Sequence, residues 1–162
     1  MPKLTPSLWF DDQAEAAAKF YTSVFKNSKI VSTTRYPNAG QEIHGKPAGS
    51  VMTVLFELDG QPFTALNGGP QFKFDEAISF EIECDTQQDI DFYWEKLTAD
   101  GGSPGPCGWV KDKFGLSWQV VPKLLQELGK DTNPEKDARV MAAMMKMGKI
   151  DIAALKRAHA GS

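Results

Sequence analysis

Short alternating runs of apolar and polar residues, each leading into a stretch with helical spacing, occur twice along this chain. Leu4 to Phe10 alternates, with Thr5, Ser7 and Trp9 on one side and Leu4, Leu8 and Phe10 on or near the other, which predicts a strand. Asp11 or Asp12 is placed to cap a following helix, where Ala16, Ala17, Phe20 and Val24 recur at helical spacing until Asn27-Ser28. Ser7, Leu8, Phe10, Phe20, Tyr21 and Phe25 align without a gap with Ser79, Phe80, Ile82, Phe92, Tyr93 and Leu97, 72 residues further on.

After its helix the first copy reads as three strands: Ile30 to Tyr36, Ser50 to Leu58 and Pro62 to Leu66, the last two turning at Asp59-Gly60, a favoured hairpin dipeptide. Proline, Asn and Gly break the pattern between Pro37 and Pro47, and Asn67-Gly68-Gly69-Pro70 reads as a linker. The second copy opens at Ala77 to Glu83, with Ile78, Phe80 and Ile82 on an apolar face and Ser79, Glu81 and Glu83 opposite. Its helix runs from about Gln87 to Ala99 and stops at Asp100-Gly101-Gly102. Ser103 to Gly108 is too rich in Pro and Gly for regular structure, so the second strand of this copy is expected to be short or displaced, and Trp109 to Lys111 with Leu116 to Val121 closes the copy as a hairpin.

That closing hairpin repeats Phe56 to Leu66, now 55 residues apart, so the first copy carries about 17 residues more, which the Pro37–Pro47 loop accommodates. After Pro122 the texture becomes helical: Lys123 to Leu128, a helix opening at Pro134 with Val140, Met141, Met144, Met145 and Met147, and a last one over Ile152 to Ala160. A recurring half implies two packed copies with a space between them, where function is expected. The predicted architecture is α+β, two tandem βαβββ modules with a C-terminal helical tail. Module one spans 1–70 and module two 75–122, within one domain over 1–122, and 123–162 is a helical extension of it.

Charge narrows the partners. A formal net charge of −3 and a pI near 5.4 leave no basic footprint for nucleic acid or an anionic membrane. No apolar run approaches the roughly 18 residues of a membrane span, and no signal segment opens the chain, so a cytoplasmic location is expected. Cys84 and Cys107 share no C-x-x-C spacing and have no neighbouring His, which suits two ordinary thiols in a reducing compartment.

The tandem βαβββ copies resemble the vicinal oxygen chelate superfamily of glyoxalases, bleomycin-resistance proteins and extradiol dioxygenases. More narrowly, Leu4 to Phe10, Ala14 to Ala17 with Phe20-Tyr21, and Lys111 to Pro122 resemble its PhnB-like branch, often labelled 3-demethylubiquinone-9 3-methyltransferase. Asn133 to Lys136 and Lys149 to Leu155 in the tail are similar to it as well. The resemblance implies cupped mixed sheets around a cavity, with Leu8, Phe10, Phe80 and Ile82 against the helices and Thr5, Ser7, Trp9, Ser79, Glu81 and Glu83 toward the cup. It also implies a homodimer.

In metal-using members of the superfamily, ligands come from the first and a late strand of each copy. Those positions correspond here to Thr5, Ala77, Thr64 and Gln119, none of them His or a carboxylate, while His44 and His159 fall elsewhere. The expectation is therefore no metal site and no assigned cofactor, the alternative being a divalent metal held without His or Glu at the usual ligand positions. The methyltransferase label meets a physical objection too, because the commonest adenosylmethionine fold needs a Gly-rich turn between a strand and a helix, and Gly68-Gly69 is followed by Pro70. No Gly-x-Ser-x-Gly elbow presents a serine nucleophile.

The functional expectation is a PhnB-like protein binding a small metabolite in the cavity between its modules. Thr5, Ser7, Trp9, Thr64, Ser79 and Gln119 line it, and Glu81 is the candidate acid or base of a reaction left unspecified. The alternative is sequestration without turnover, of the resistance type. A buried Glu81 beside Ser79 and Gln119 favours catalysis; a neutral cup favours binding. Trp9 and Trp118 are each either core or a flat wall for a ligand.

Overall fold

A computed structural model describes all 162 residues. Its first unit, Met1–Phe74, runs β1 (Ser7–Phe10), α1 (Ala14–Val24), β2 (Lys29–Arg35), α2 (Gln41–His44), β3 (Val51–Leu58) and β4 (Gln61–Asn67). The second unit, Asp75–Ser162, runs β5 (Ser79–Cys84), α3 (Gln87–Thr98), β6 (Ser103–Pro104), β7 (Trp109–Lys111) and β8 (Ser117–Pro122). It ends with α4 (Leu124–Leu128), α5 (Pro134–Met144) and α6 (Ile152–Ala160). Each unit is a βαβββ module, and the second carries the helical tail.

The two sheets share one topology. Strand order is β1-β4-β3-β2 in the first and β5-β8-β7-β6 in the second, each with its first and last strands parallel and the others antiparallel. Period-two alternation then decides which face is covered. In the first unit Leu8, Phe10, Val54, Phe56, Phe63 and Ala65 are buried on one face, and α1 supplies Ala14, Ala17, Ala18, Tyr21 and Val24. Tyr21 stacks on Phe56 at 6.1 Å and Phe56 on Phe63 at 5.5 Å between ring centroids. Truncating Phe56 to Ala costs about 3–5 kcal/mol at such a site. In the second unit Ile82, Val110, Trp118 and Val120 meet Ile90 and Leu97 of α3.

Turn chemistry agrees with the sequence at Asp59-Gly60, where both residues have positive φ (47° and 79°), the geometry of a type I′ hairpin turn. The Pro- and Gly-rich run leaves β6 only two residues long. Elsewhere the structure corrects the reading. Leu4 is 93% exposed, since β1 begins only at Ser7, and Ile78 is 68% exposed, since β5 begins at Ser79. The Pro37–Pro47 loop holds a one-turn helix, α2, between left-handed Gly40 and Gly45. Neither Asp11 nor Asp12 caps α1; the Ala14 N–H instead donates to Asn67 Oδ1, 2.8 Å away.

The repeat is also less regular than an ungapped alignment suggests. Ser7 lies opposite Thr64, whereas Ser79 lies opposite Ser117, and Gln119, the counterpart of Thr64, lies opposite Glu81. The parallel pairs thus differ in register by two residues. A slip of two leaves every side chain on its own face, so the alternation survives it.

In the tail, Asn133 caps α5 by accepting from the N–H groups of Glu135 and Lys136, and Asp151 caps α6 through Ala154 N–H. Ile150 and Leu155 are fully buried; of the methionines, Met144 and Met147 are half-buried on the side of buried Val140, while Met141 and Met145 are exposed. Arg139 ties the two helices by donating to the carbonyls of Ala158 and His159.

Candidate functional site

The uncovered face of the second sheet gathers the polar residues that alternate with its core. Register places Ser79, Ser117 and Lys111 in one row across β5, β8 and β7, and Glu81, Gln119 and Trp109 in the next. Gln119 Nε2 donates to Ser79 Oγ at 2.9 Å, so the amide reaches back to the neighbouring row rather than toward Glu81. Glu81 is exposed.

On this same face, toward β6, lies a cavity of about 370 Å³ bordered by Pro104, Pro106, Trp109, Lys111, Ser117 and Glu76. Small-molecule sites commonly occupy about 300–1,000 Å³. The wall is built by a tight loop: Gly105 N–H donates to the Trp109 carbonyl at 2.7 Å and Trp109 N–H to that of Pro106 at 3.0 Å. Cys107 and Gly108 both take positive φ there. A Cβ on Gly108 would lie 2.7 Å from the Val120 carbonyl oxygen, so only glycine fits.

Lys111 is the cation in this lining, and its ammonium is hydrogen-bonded to the Glu76 carboxylate. That bond, ahead of a backbone hydrogen bond and the Lys111 charge, holds the Glu76 carboxyl below the usual carboxylate range. The pair leaves the rim close to neutral. Cys84 lies on the covered face, where burial, followed by Asp89 and Asp85, pushes its thiol up to about 12.

On the first sheet, Ser7 and Thr64 are adjacent on the uncovered face, and Thr5 is exposed just ahead of β1. Trp9 is half-buried: its indole N–H donates to the Gly69 carbonyl at 2.9 Å, and Phe72 packs edge-on at 4.9 Å. Gly68 permits this, since a Cβ there would lie 2.3 Å from the indole. A second cavity, of about 330 Å³, lies near the start of α1, but its buried Asn67 is committed to Ala14, Val51 and Tyr36. Trp118 is core, 3% exposed, with its indole N–H donating to Asp112.

The donor set at the superfamily's metal positions does not fit a divalent cation. Thr5, Ala77 and Thr64 offer no charge, Gln119 points its amide at Ser79, and no group of three His, Cys, Asp or Glu side chains converges. Adenosylmethionine finds no cradle of the doubly wound kind either, because β1–α1 and β5–α3 are joined by Asp11-Asp12-Gln13 and Asp85-Thr86, without glycine.

Comparison with known proteins agrees with the fold. Residues 2–121 match the family described as 3-demethylubiquinone-9 3-methyltransferase. A PhnB protein from Bacillus cereus, which bears the same methyltransferase label, is 34% identical over 75% of this chain and 99% of its own, with a TM-score of 0.64. Protein PA1353 of Pseudomonas aeruginosa shares the fold at 16% identity over 75% of this chain and 98% of its own, with a TM-score of 0.59. The fosfomycin resistance protein FosX of Listeria monocytogenes shares it at 13% identity over 78% of this chain and 97% of its own, with a TM-score of 0.52. No curated protein matches. The chain belongs to the 3-demethylubiquinone-9 3-methyltransferase-like family, the PhnB-like branch of the vicinal oxygen chelate superfamily. The family match stops at residue 121, before the tail segments named above.

Of the residues singled out in sequence, Ser79 and Gln119 are in direct contact, Glu81 shares their face, and Ser7 and Thr64 are neighbours. Trp109, Lys111 with Glu76, and Ser117 went unrecognised as lining. Counting back from the Asp112–Gly115 turn puts Trp109 opposite Gln119, a signal the sequence does contain.

Proposed function

We propose that this protein binds a small, uncharged, flat metabolite on the uncovered face of its second sheet, without turning it over. The supporting observation is the cavity walled by Trp109, Pro104 and Pro106, with its cation already neutralised by Glu76; Ser79 and Gln119 are not in its lining but are the strand neighbours of its Ser117 and Trp109. An indole and two proline rings favour a planar apolar body. Next to that lining, the Gln119 side-chain carbonyl and the Ser79 hydroxyl are neutral groups suited to orienting one polar substituent of a ligand that extends past Trp109. An anion such as a phosphonate gains little from Lys111 while Glu76 answers its charge. The exposure of Glu81 favours binding over acid-base catalysis. Thr5, Ser7, Trp9 and Thr64 form the corresponding polar surface of the first sheet, and a homodimer belongs to the same proposal.

Titration calorimetry with 1-naphthol and with phenylphosphonate tests this. Saturable binding of 1-naphthol that weakens at least about tenfold in Trp109→Ala, with no binding of phenylphosphonate, is the expected result. Preference for the phosphonate, or indifference to Trp109→Ala, rejects it. Native mass spectrometry of the freshly purified protein then reads any retained ligand or metal and counts subunits.

A further inference from the structure

The loop that walls the cavity is held by a part of the chain that the family match does not include. Cys107 N–H donates to the Met147 carbonyl and Gly108 N–H to that of Gly148, each at 2.8 Å, and Cys107 Sγ lies 3.4 Å from the Met144 carbonyl oxygen. Gly148 packs closely enough that a Cβ would lie 3.5 Å from the Gly105 carbonyl oxygen and 3.9 Å from the Trp94 ring. Two residues on, Ile150 is fully buried. Met147 to Ile150 therefore runs as a strap along the outside of the Gly105–Gly108 wall.

The strap is fastened at its far end by one side chain. Gln87, in the first turn of α3, donates from Nε2 to the Ile150 carbonyl and accepts at Oε1 from Ile152 N–H, both at 2.9 Å. Its amide also reaches Asp91, which pairs with Lys149 at 2.8 Å. A side-chain amide that satisfies one carbonyl and one N–H at a chain reversal takes the place of a strand partner the tail does not have there. No other side chain of the unit holds both groups of this segment.

We propose that Gln87 is a positioning residue for the cavity: through the strap Met147–Ile150 it fixes the Gly105–Gly108 wall, so that the tail sets which ligands the cavity admits. The inference rests on the binding reading above only for the last step. Its first step, that Gln87 holds the wall through the strap, stands on hydrogen bonds within one unit.

Cys107 reports on the wall directly. Cys84 is buried and its thiol is shifted to about 12, so reaction of the folded, full-length protein with a disulfide reagent such as DTNB reads Cys107. Gln87→Ala removes both tail hydrogen bonds and is expected to speed Cys107 labelling at least about tenfold and to weaken 1-naphthol binding by a similar factor. Gln87→Glu keeps the acceptor for Ile152 and loses the donor to Ile150, and should fall between. Lys149→Ala, which breaks only an exposed pair, should leave both readouts within about twofold.

Unchanged labelling in Gln87→Ala overturns the proposal, and so does faster labelling with naphthol affinity unchanged. A general loss of stability would instead expose Cys84 and Cys107 together, which counts against a local role. Should the wild-type protein bind neither probe, the binding reading falls by itself, and the labelling series alone decides whether Gln87 holds the wall.

Discussion

Asn67 Oδ1 accepts a hydrogen bond from the backbone N–H of Ala14 at 2.8 Å, so the last residue of β4 caps a helix that began 53 positions earlier. The same side chain donates to the Val51 carbonyl at 3.1 Å, and the backbone carbonyl of Asn67 accepts from the Tyr36 hydroxyl. Asn67 is only 7% exposed, so these groups have no easy recourse to water.

Asn67→Ala should therefore lose more than an ordinary cap. A helix cap alone contributes about 0.5–2 kcal/mol, and a buried carbonyl left without its donor adds a cost of the same order. Urea unfolding is expected to show a loss of about 2–3 kcal/mol, whereas Asp12→Ala, which removes a residue that caps nothing, should stay within about 0.5 kcal/mol.

Asp112 performs a comparable task in the second unit. Its Oδ1 accepts from Phe114 N–H and Leu116 N–H, closing the β7–β8 turn, and its Oδ2 accepts from the Trp118 indole at 2.9 Å, all at 2% exposure. Asp112→Asn preserves one oxygen for the turn but sets an amide N–H₂ against the indole N–H. The expected outcome is a loss of about 2–4 kcal/mol with altered Trp118 near-ultraviolet dichroism, and a clearly smaller loss when Asp112→Asn is made in Trp118→Phe, where the opposed donor is already gone.

Local patterning was legible because it is written in nearest neighbours. Apolar patterning located the longer strands and put Leu8, Phe10 and Ile82 on the covered faces, but not the two-residue β6, and helical spacing placed α6 at Ile152–Ala160. Distant partners were not legible. Asn67 read as a linker residue because its partner is Ala14, and nothing near Lys111 in the chain announces Glu76, 35 positions away. The site divides the same way: Ser79 and Gln119 follow from strand parity, but the Trp109 wall depends on a loop fixed by the tail's backbone carbonyls, which no side-chain pattern announces.

The neutral rim of the cavity has a consequence for selectivity. Glu76→Gln removes the carboxylate that answers Lys111 and leaves its ammonium facing the cavity. Phenylphosphonate, which the wild-type protein should ignore, is expected to bind Glu76→Gln measurably in calorimetry, with affinity falling as salt is raised. Affinity for 1-naphthol should change less than about threefold, since stacking on Trp109 does not use that charge. Equal behaviour of the two proteins toward phosphonate would show that the pair does not set the charge preference.

Cys84 gives the fold a definite response to alkali. Its thiol is raised from 9.0 to about 12, chiefly by burial, so the folded protein keeps a proton that the unfolded chain releases once the pH passes about 9. The unfolded state then binds fewer protons than the native state, and stability must fall as pH rises between about 9 and 12, by up to about 1.4 kcal/mol per pH unit. Below pH 9 both states hold the proton and the effect vanishes. Urea unfolding of Cys84→Ala against the wild-type protein isolates this contribution from the other groups that titrate in alkali: the wild-type curve should be steeper above pH 9 and parallel below it. Parallel curves throughout would mean that the Cys84 thiol ionises as freely in the fold as outside it.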